Sequence, residues 1–148
     1  MSTFSSRVWL VIATVVVLCG CGAANTSEPN AAGGSLPTHT REELGDAGLG
    51  GILSGRPDCL WLENEGAIPT ALILPSGTTS GLDGEDVVVF DEGGHEIART
   101  GEFVFVGGEG DPGASSCLNA SEAGAPLLVS AVEEVCAPEE VTDAGECP

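Results

Sequence analysis

The sequence of 148 residues contains no lysine, and its only cations apart from histidine are four arginines, against 23 aspartates and glutamates. Proteins that bind nucleic acid gain much of their affinity by neutralising phosphates with Lys and Arg. The same two residue types hold proteins against the anionic surface of a bilayer. The composition therefore argues against nucleic acid as a partner and against electrostatic adsorption to a membrane.

The patterns that identify common metal sites and enzymes are missing as well. There is no Cys-x-x-Cys pair and there are only two histidines, which argues against zinc. Residues 107–113 (GGEGDPG) are rich in glycine, so we expect a flexible loop there. They lack the Lys-Ser/Thr ending of a P-loop, which argues against phosphate binding. His95 has no Ser or Cys in a nucleophile motif beside it. We therefore predict a protein that is not an enzyme and holds no cofactor.

The sequence also lacks an apolar run long enough to span a membrane comfortably. Residues 8–18 (VWLVIATVVVL) give eleven apolar or nearly apolar positions after the single cation Arg7. A spanning helix needs about 20 such residues. A charged start, an apolar stretch of this length and a small residue before the cleavage point are typical of a secretory signal peptide.

The end of this stretch, Leu18-Cys19-Gly20-Cys21, resembles a bacterial lipobox. The resemblance implies that residues 1–20 are a lipoprotein signal peptide and that Cys21 receives a diacylglycerol thioether after cleavage. Two or more acyl chains of the palmitate type hold a protein stably on a membrane. The resemblance thus implies a lipoprotein on the outer face of the cell membrane. An ordinary cleaved signal, with Cys21 as a spare thiol, is the alternative.

The mature chain begins with a polar segment at residues 21–40, which we interpret as a flexible tether because it is small, polar and interrupted by Gly and Pro. The roughly 19 residues after Cys21 give a root-mean-square span of about 25 Å. We expect His39 in this tether to be solvated. Residues 40–43 (TREE) match a capping box and predict a short helical turn.

Residues 41–148 predict a single small all-β domain, either a barrel or a sandwich. Apolar runs of four or five residues, too short for ordinary helices, recur between Gly, Pro, Asn and Asp. These runs are residues 51–54, 59–63, 70–74, 87–90, 96–99 and 103–106. Residues 127–135 fit a helix or a strand, and we predict a strand.

Residues 50–118 also loosely resemble a small domain of uncharacterised bacterial secreted proteins and lipoproteins, through Cys59-Leu60-Trp61-Leu62 and the Leu74-Pro75-Ser76-Gly77-Thr78 turn. That resemblance implies a fold class only.

Four cysteines remain once Cys19 is removed and Cys21 is acylated, and an even number in an exported chain predicts two disulfides. Four cysteines allow three connectivities. Among them we expect Cys59–Cys117, which fastens an early strand, and Cys136–Cys147, which fastens the acidic tail. Loop entropy gives about 4 kcal/mol for the longer closure and about 3 kcal/mol for the shorter one.

Two functional hypotheses follow. The first is an extracytoplasmic binding module for an envelope protein or a small ligand, with Trp61 as a ligand-facing residue; packing in the core is the ordinary alternative for this side chain. The second is a calcium-binding envelope protein, although the acidic residues do not have the spacing of an EF-hand loop. The carboxylates concerned are Asp83, Glu85, Asp86, Asp91, Glu92, Glu109 and Asp111.

Overall fold

The computed structural model describes residues 35–45, 47–119, 121 and 123–148. This part of the chain contains nine β-strands and no α-helix. The prediction of a single all-β domain is therefore confirmed. The predicted signal peptide, the lipobox with Cys21 and residues 22–34 of the predicted tether lie outside the described residues.

The strands follow one another with short connections. They are β1 (Thr38–His39), β2 (Ala47–Arg56), β3 (Cys59–Glu63), β4 (Thr70–Pro75), β5 (Thr79–Asp83), β6 (Asp86–Phe90), β7 (Glu96–Arg99), β8 (Phe103–Gly110) and β9 (Leu127–Cys136). One 3₁₀ turn, Pro138–Glu140, follows β9. The ambiguous residues 127–135 thus form a strand, as predicted.

The strands form two sheets. The larger sheet has six strands in the order β1-β4-β3-β2-β8-β9, and the smaller has three in the order β5-β6-β7. Strand β9 also pairs in parallel with β4, through Leu72↔Leu127 and Ile73↔Leu128. Because β9 already pairs with β8, the pairings of β4, β3, β2, β8 and β9 make a closed circuit.

One apolar core joins the two sheets. Alternate residues of each strand point to one face, so Leu60 and Leu62 of β3 face the same interior as Val87 and Val89 of β6. All four are at most 2% exposed. Burying one such side chain contributes about 1.5–3 kcal/mol. Since no charged or polar residue is buried in the described part of the chain, apolar packing is what holds the sheets together.

Strand β2 begins four residues earlier than the apolar run predicted, because glycines take part in it. A Cβ atom on Gly48 would overlap the ring of Phe105, and one on Gly50 would lie 2.7 Å from Cζ of Phe103. The two aromatic rings of β8 therefore lie directly on the backbone of its neighbour. Glycine here marks close packing within a strand, not a turn.

Strand β8 likewise continues where the sequence predicted a loop. Residues 107–110 pair with β9, from Gly107↔Ala131 to Gly110↔Leu127, so the prediction of a flexible loop over residues 107–113 is wrong for its first four positions. Gly108 sits against the carbonyl oxygen of Leu128, where a side chain would clash. Backbone pairing, with no need for apolar side chains, explains why a glycine-rich segment is a strand here.

The chain enters the domain before residue 41, so the predicted boundary at that position is wrong. Leu36 is buried in the core, and β1 pairs in parallel with the end of β4. The ring of His39 accepts a hydrogen bond from the Arg41 N–H at Nδ1 (3.2 Å), so Nε2 carries the proton and donates to the Val129 carbonyl at 2.8 Å. His39 is consequently not a solvated tether residue, and residues 40–43 form no helical turn.

Candidate functional site

Two disulfides fasten segments to the larger sheet. Cys59 pairs with Cys117 at a Cα–Cα distance of 5.5 Å, and Cys136 pairs with Cys147 at 5.8 Å. These are the two expected pairs. Cys59 is fully buried, whereas the Cys136–Cys147 bridge joins two partly exposed residues at the edge of the domain.

The first disulfide holds the β8–β9 connection over the outer face of the larger sheet. The connection is also held by the Gly124 N–H, which donates to the Pro69 carbonyl at 3.1 Å. Ala71 and Ile73 alternate with core residues and face outward, yet both are buried. This covered outer face explains how apolar residues can occupy both sides of β4.

Trp61 lies on the same outer face but remains partly exposed. Its neighbours across the sheet are Ser54 on β2 and Ala71 on β4. The indole N–H donates to Oε1 of Glu63 at 2.8 Å, which fixes the ring along the strand. Ile68, in the turn before β4, is 66% exposed. The β3–β4 hairpin thus presents the exposed Ile68 and the partly exposed ring of Trp61 to solvent, where a binding partner could contact them.

The acidic residues proposed as calcium ligands are mostly engaged with other groups. Arg99 bonds to Asp83 at 2.8 Å and to Glu96 at 3.2 Å, and it lies 3.8 Å from Asp86. The hydrogen bond with Asp83, followed by that with Glu96, raises the pKa of Arg99 above its ordinary value. Asp111 pairs with Arg41 at 3.0 Å. Across the described ranges, no three His, Cys, Asp or Glu side chains are arranged to hold a metal ion.

Asp91 closes the β6–β7 hairpin turn. Its Oδ1 accepts the His95 N–H at 2.8 Å, and its Oδ2 lies 3.2 Å from Nδ1 of His95. The bond from the His95 backbone is the main reason why the pKa of Asp91 lies below its ordinary value. The His95 ring itself is exposed, and its role here is in the turn.

A cleft of about 210 Å³ opens where the two sheets meet, and we call it the seam cleft. Apolar residues make its floor, and hydroxyls and carboxylates make its rim. The floor consists of Leu74, Pro75, Ile97, Val129 and Val132, the exposed Ala131 lies at its edge, and the rim consists of Ser76, Thr78, Asp91 and Glu92. These residues come from β4, the β4–β5 turn, β9 and the β6–β7 hairpin, so no local sequence pattern predicts the site. A more open depression of about 550 Å³ lies in the loop between β8 and β9.

Comparison with known protein families, curated proteins and solved structures found no match to this chain. Among the residues that the structure describes, no helix has the length and apolarity needed to span a membrane.

Proposed function

We propose that this chain is a bacterial lipoprotein, anchored through acylated Cys21 on the outer face of the cell membrane, and that its β domain is a non-enzymatic binding module. The observation that carries the proposal is the pair of disulfides in a small domain, because such bonds persist in oxidising compartments outside the cytoplasm. The lipobox-like Leu18-Cys19-Gly20-Cys21 supports an anchor at the start of the mature chain.

The charge of the domain suits this location. After removal of residues 1–20, three arginines remain against 23 acidic residues, a formal charge of −20. All three arginines lie in the described part of the chain and pair with carboxylates of the same chain. The large excess of negative charge keeps the domain away from anionic headgroups and attracts basic partners.

The β3–β4 hairpin is the surface that we propose for a protein partner or a small ligand. Trp61 offers a rigid ring whose N–H is already satisfied by Glu63, so partner binding buries apolar area without stranding a donor. Ile68 extends the apolar area at the turn. Aromatic side chains of this kind are frequent centres of binding energy at interfaces.

Intact mass of the protein extracted from membranes tests the anchor. We expect a chain that starts at Cys21 and carries acyl chains, and a Cys21→Ser variant that is released from the membrane. A mass without acyl groups on a chain cleaved elsewhere would contradict the anchor.

Crosslinking on membranes, followed by mass spectrometry, tests the binding surface. We expect a specific crosslinked partner that is lost in Trp61→Ala and retained in Val135→Ala, which removes an exposed apolar side chain from β9 instead. Equal recovery of the partner with both variants would show that the β3–β4 hairpin is not the surface used.

A further inference from the structure

The seam cleft is an apolar depression that runs into the core. Leu74 and Val129 at its floor are almost fully buried. Ile97 of β7 and Val132 of β9 pack against the core from either side and remain partly exposed. An occupant that reached the floor would therefore contact aliphatic side chains of both sheets.

The rim of the seam cleft carries one carboxylate without a partner. Both oxygens of Asp91 contact His95. Glu92, next to it, is exposed, and its carboxylate makes no hydrogen bond or ion pair with another described residue. The three described arginines are committed to other carboxylates, so none of them neutralises Glu92.

We propose that the seam cleft receives the side chain of a lysine from a partner protein. The four methylene groups would lie on Leu74, Ile97 and Val132, and the ammonium would stay at the rim, in the way that lysine commonly buries its stem and keeps its charge in water. An ammonium has three donors, and Glu92, Ser76 and Thr78 provide oxygen acceptors at that rim.

The size of the cleft favours a lysine side chain, and the composition of the chain indicates where that lysine comes from. The volume of about 210 Å³ corresponds to roughly seven water molecules and is smaller than the 300–1,000 Å³ of sites for drug-sized ligands. A single extended side chain matches that volume. Because the sequence contains no lysine, the occupant belongs to another molecule and not to a second copy of this chain.

This inference deepens the proposed function by naming the chemistry of the partner, and it rests on that function for the existence of a protein partner. Its test needs neither the anchor nor the natural partner. Failure of lysine binding in a protein that is acylated at Cys21 would overturn this inference alone, and binding by a protein without acyl groups would leave it standing.

Titration of the intact chain in detergent with n-butylammonium, the lysine side-chain analogue, tests the cleft by NMR. We expect the amide resonances around Val129 and Val132 to shift when butylammonium binds. The affinity for 1-butanol, which has the same shape but no charge, should be at least about threefold lower than that for butylammonium. Glu92→Gln should weaken butylammonium binding about threefold, whereas Glu146→Gln, which removes an exposed carboxylate from the tail, should not.

A second variant tests the volume of the cleft. Ala131 is exposed at the cleft, so Ala131→Leu fills space without replacing a core residue, and it should abolish the shifts while the melting temperature stays the same. Butylammonium binding that survives both Ala131→Leu and Glu92→Gln, or no binding to the unaltered chain, would overturn the proposal.

A final comparison separates a protein source from a free amine. N-acetyl-lysine amide should bind like butylammonium, and the norleucine analogue should bind at least about threefold less tightly because it lacks the charge. If butylammonium binds and N-acetyl-lysine amide does not, the cleft accepts free amines and the assignment to a partner's lysine is wrong.

Discussion

The two sheets of this domain are stabilised in different ways. The six-stranded sheet contains the long registers of β2, β8 and β9, and both disulfides start from its strands, at Cys59 and Cys136. The three-stranded sheet has strands of four or five residues and no disulfide, and it carries the Arg99 ion-pair cluster and the Asp91–His95 turn. Covalent bonds and burial thus dominate one sheet, and charge contacts supplement burial in the other.

This difference has a physical consequence for how each sheet responds to its surroundings. Disulfide stabilisation depends on redox conditions and barely on salt, whereas interactions between exposed charges weaken as salt screens them. We therefore expect reduction to affect mainly the larger sheet, and salt or acid to affect mainly the smaller one. Four variants, two double and two single, test this expectation.

The largest effect is expected from removing the Cys59–Cys117 bond with Cys59→Ala and Cys117→Ala together. The bond closes a separation of 58 residues, so its loss should lower the free energy of unfolding by about 4 kcal/mol. The β8–β9 connection should stay on the outer face over Ala71 and Ile73, where the Gly124 N–H donates to the Pro69 carbonyl, so the folded state gains little entropy to offset the loss. Urea denaturation of the double variant and the oxidised parent measures this loss. A change below about 1 kcal/mol would show that the connection becomes free in the folded protein as well and recovers most of that entropy.

A smaller effect is expected from removing the other bond with Cys136→Ala and Cys147→Ala. Loop entropy alone gives about 3 kcal/mol for a separation of 11 residues. No residue of the tail after Cys136 is buried, so the tail would become free in the folded protein as well and would recover much of that entropy. We therefore expect a loss of about 1 kcal/mol in the same urea experiment. A loss equal to that of the first pair would contradict this reasoning.

The sequence predicts the parts of this fold that depend on local apolar patterns. Strands β3, β6 and β7 lie within one residue of their predicted bounds, because dense aliphatic runs end at turn residues. The sequence does not predict β5, because its residues, TSGLD, include one large apolar side chain. It predicts a loop for the last residues of β8, because they are rich in glycine. Those segments are strands because a neighbouring strand supplies hydrogen bonds, β6 for β5 and β9 for the glycines of β8, and the side chains of the segment itself do not show this.

The same distinction applies to the candidate sites. The disulfides were predicted from an even count of cysteines on the expectation that the chain is exported, and Trp61 stands out by its residue type. The seam cleft could not be predicted, because Leu74, Ile97 and Val132 come from three separate strands. The involvement of His39 in the fold was missed for a similar reason, since its partner Val129 is 90 residues away.

Arg99→Gln tests the charge contacts of the smaller sheet, with a weaker effect than either disulfide. It removes the cation that joins Asp83 and Glu96, so the amides of β5, β6 and β7 should exchange hydrogen faster, by less than about tenfold. The exchange rates of amides in β8 and β9 should be unchanged. Hydrogen exchange measured at low and high salt reports the rates in both sheets, and the acceleration in β5–β7 should be smaller at high salt. Arg56→Gln, whose partner Asp58 is two residues away, is the matched control and should leave β5–β7 unchanged. Faster exchange spread equally over both sheets would contradict a local role for Arg99.

The smallest effect is expected at the turn formed by Asp91. Its pKa is below the ordinary 3.8 because the His95 backbone N–H donates to the ionised carboxylate. A carboxyl with a lower pKa in the folded state contributes stability above the unfolded value and loses it as the pH falls through the folded value. The pH titration of the His95 amide resonance should therefore have its midpoint below 3.8. Asp91→Asn should abolish that titration, and Asp143→Asn in the exposed tail should retain it. A midpoint above 3.8 would mean that the turn does not favour the ionised carboxylate, and the smaller sheet would then depend on Arg99 alone for its charge contacts.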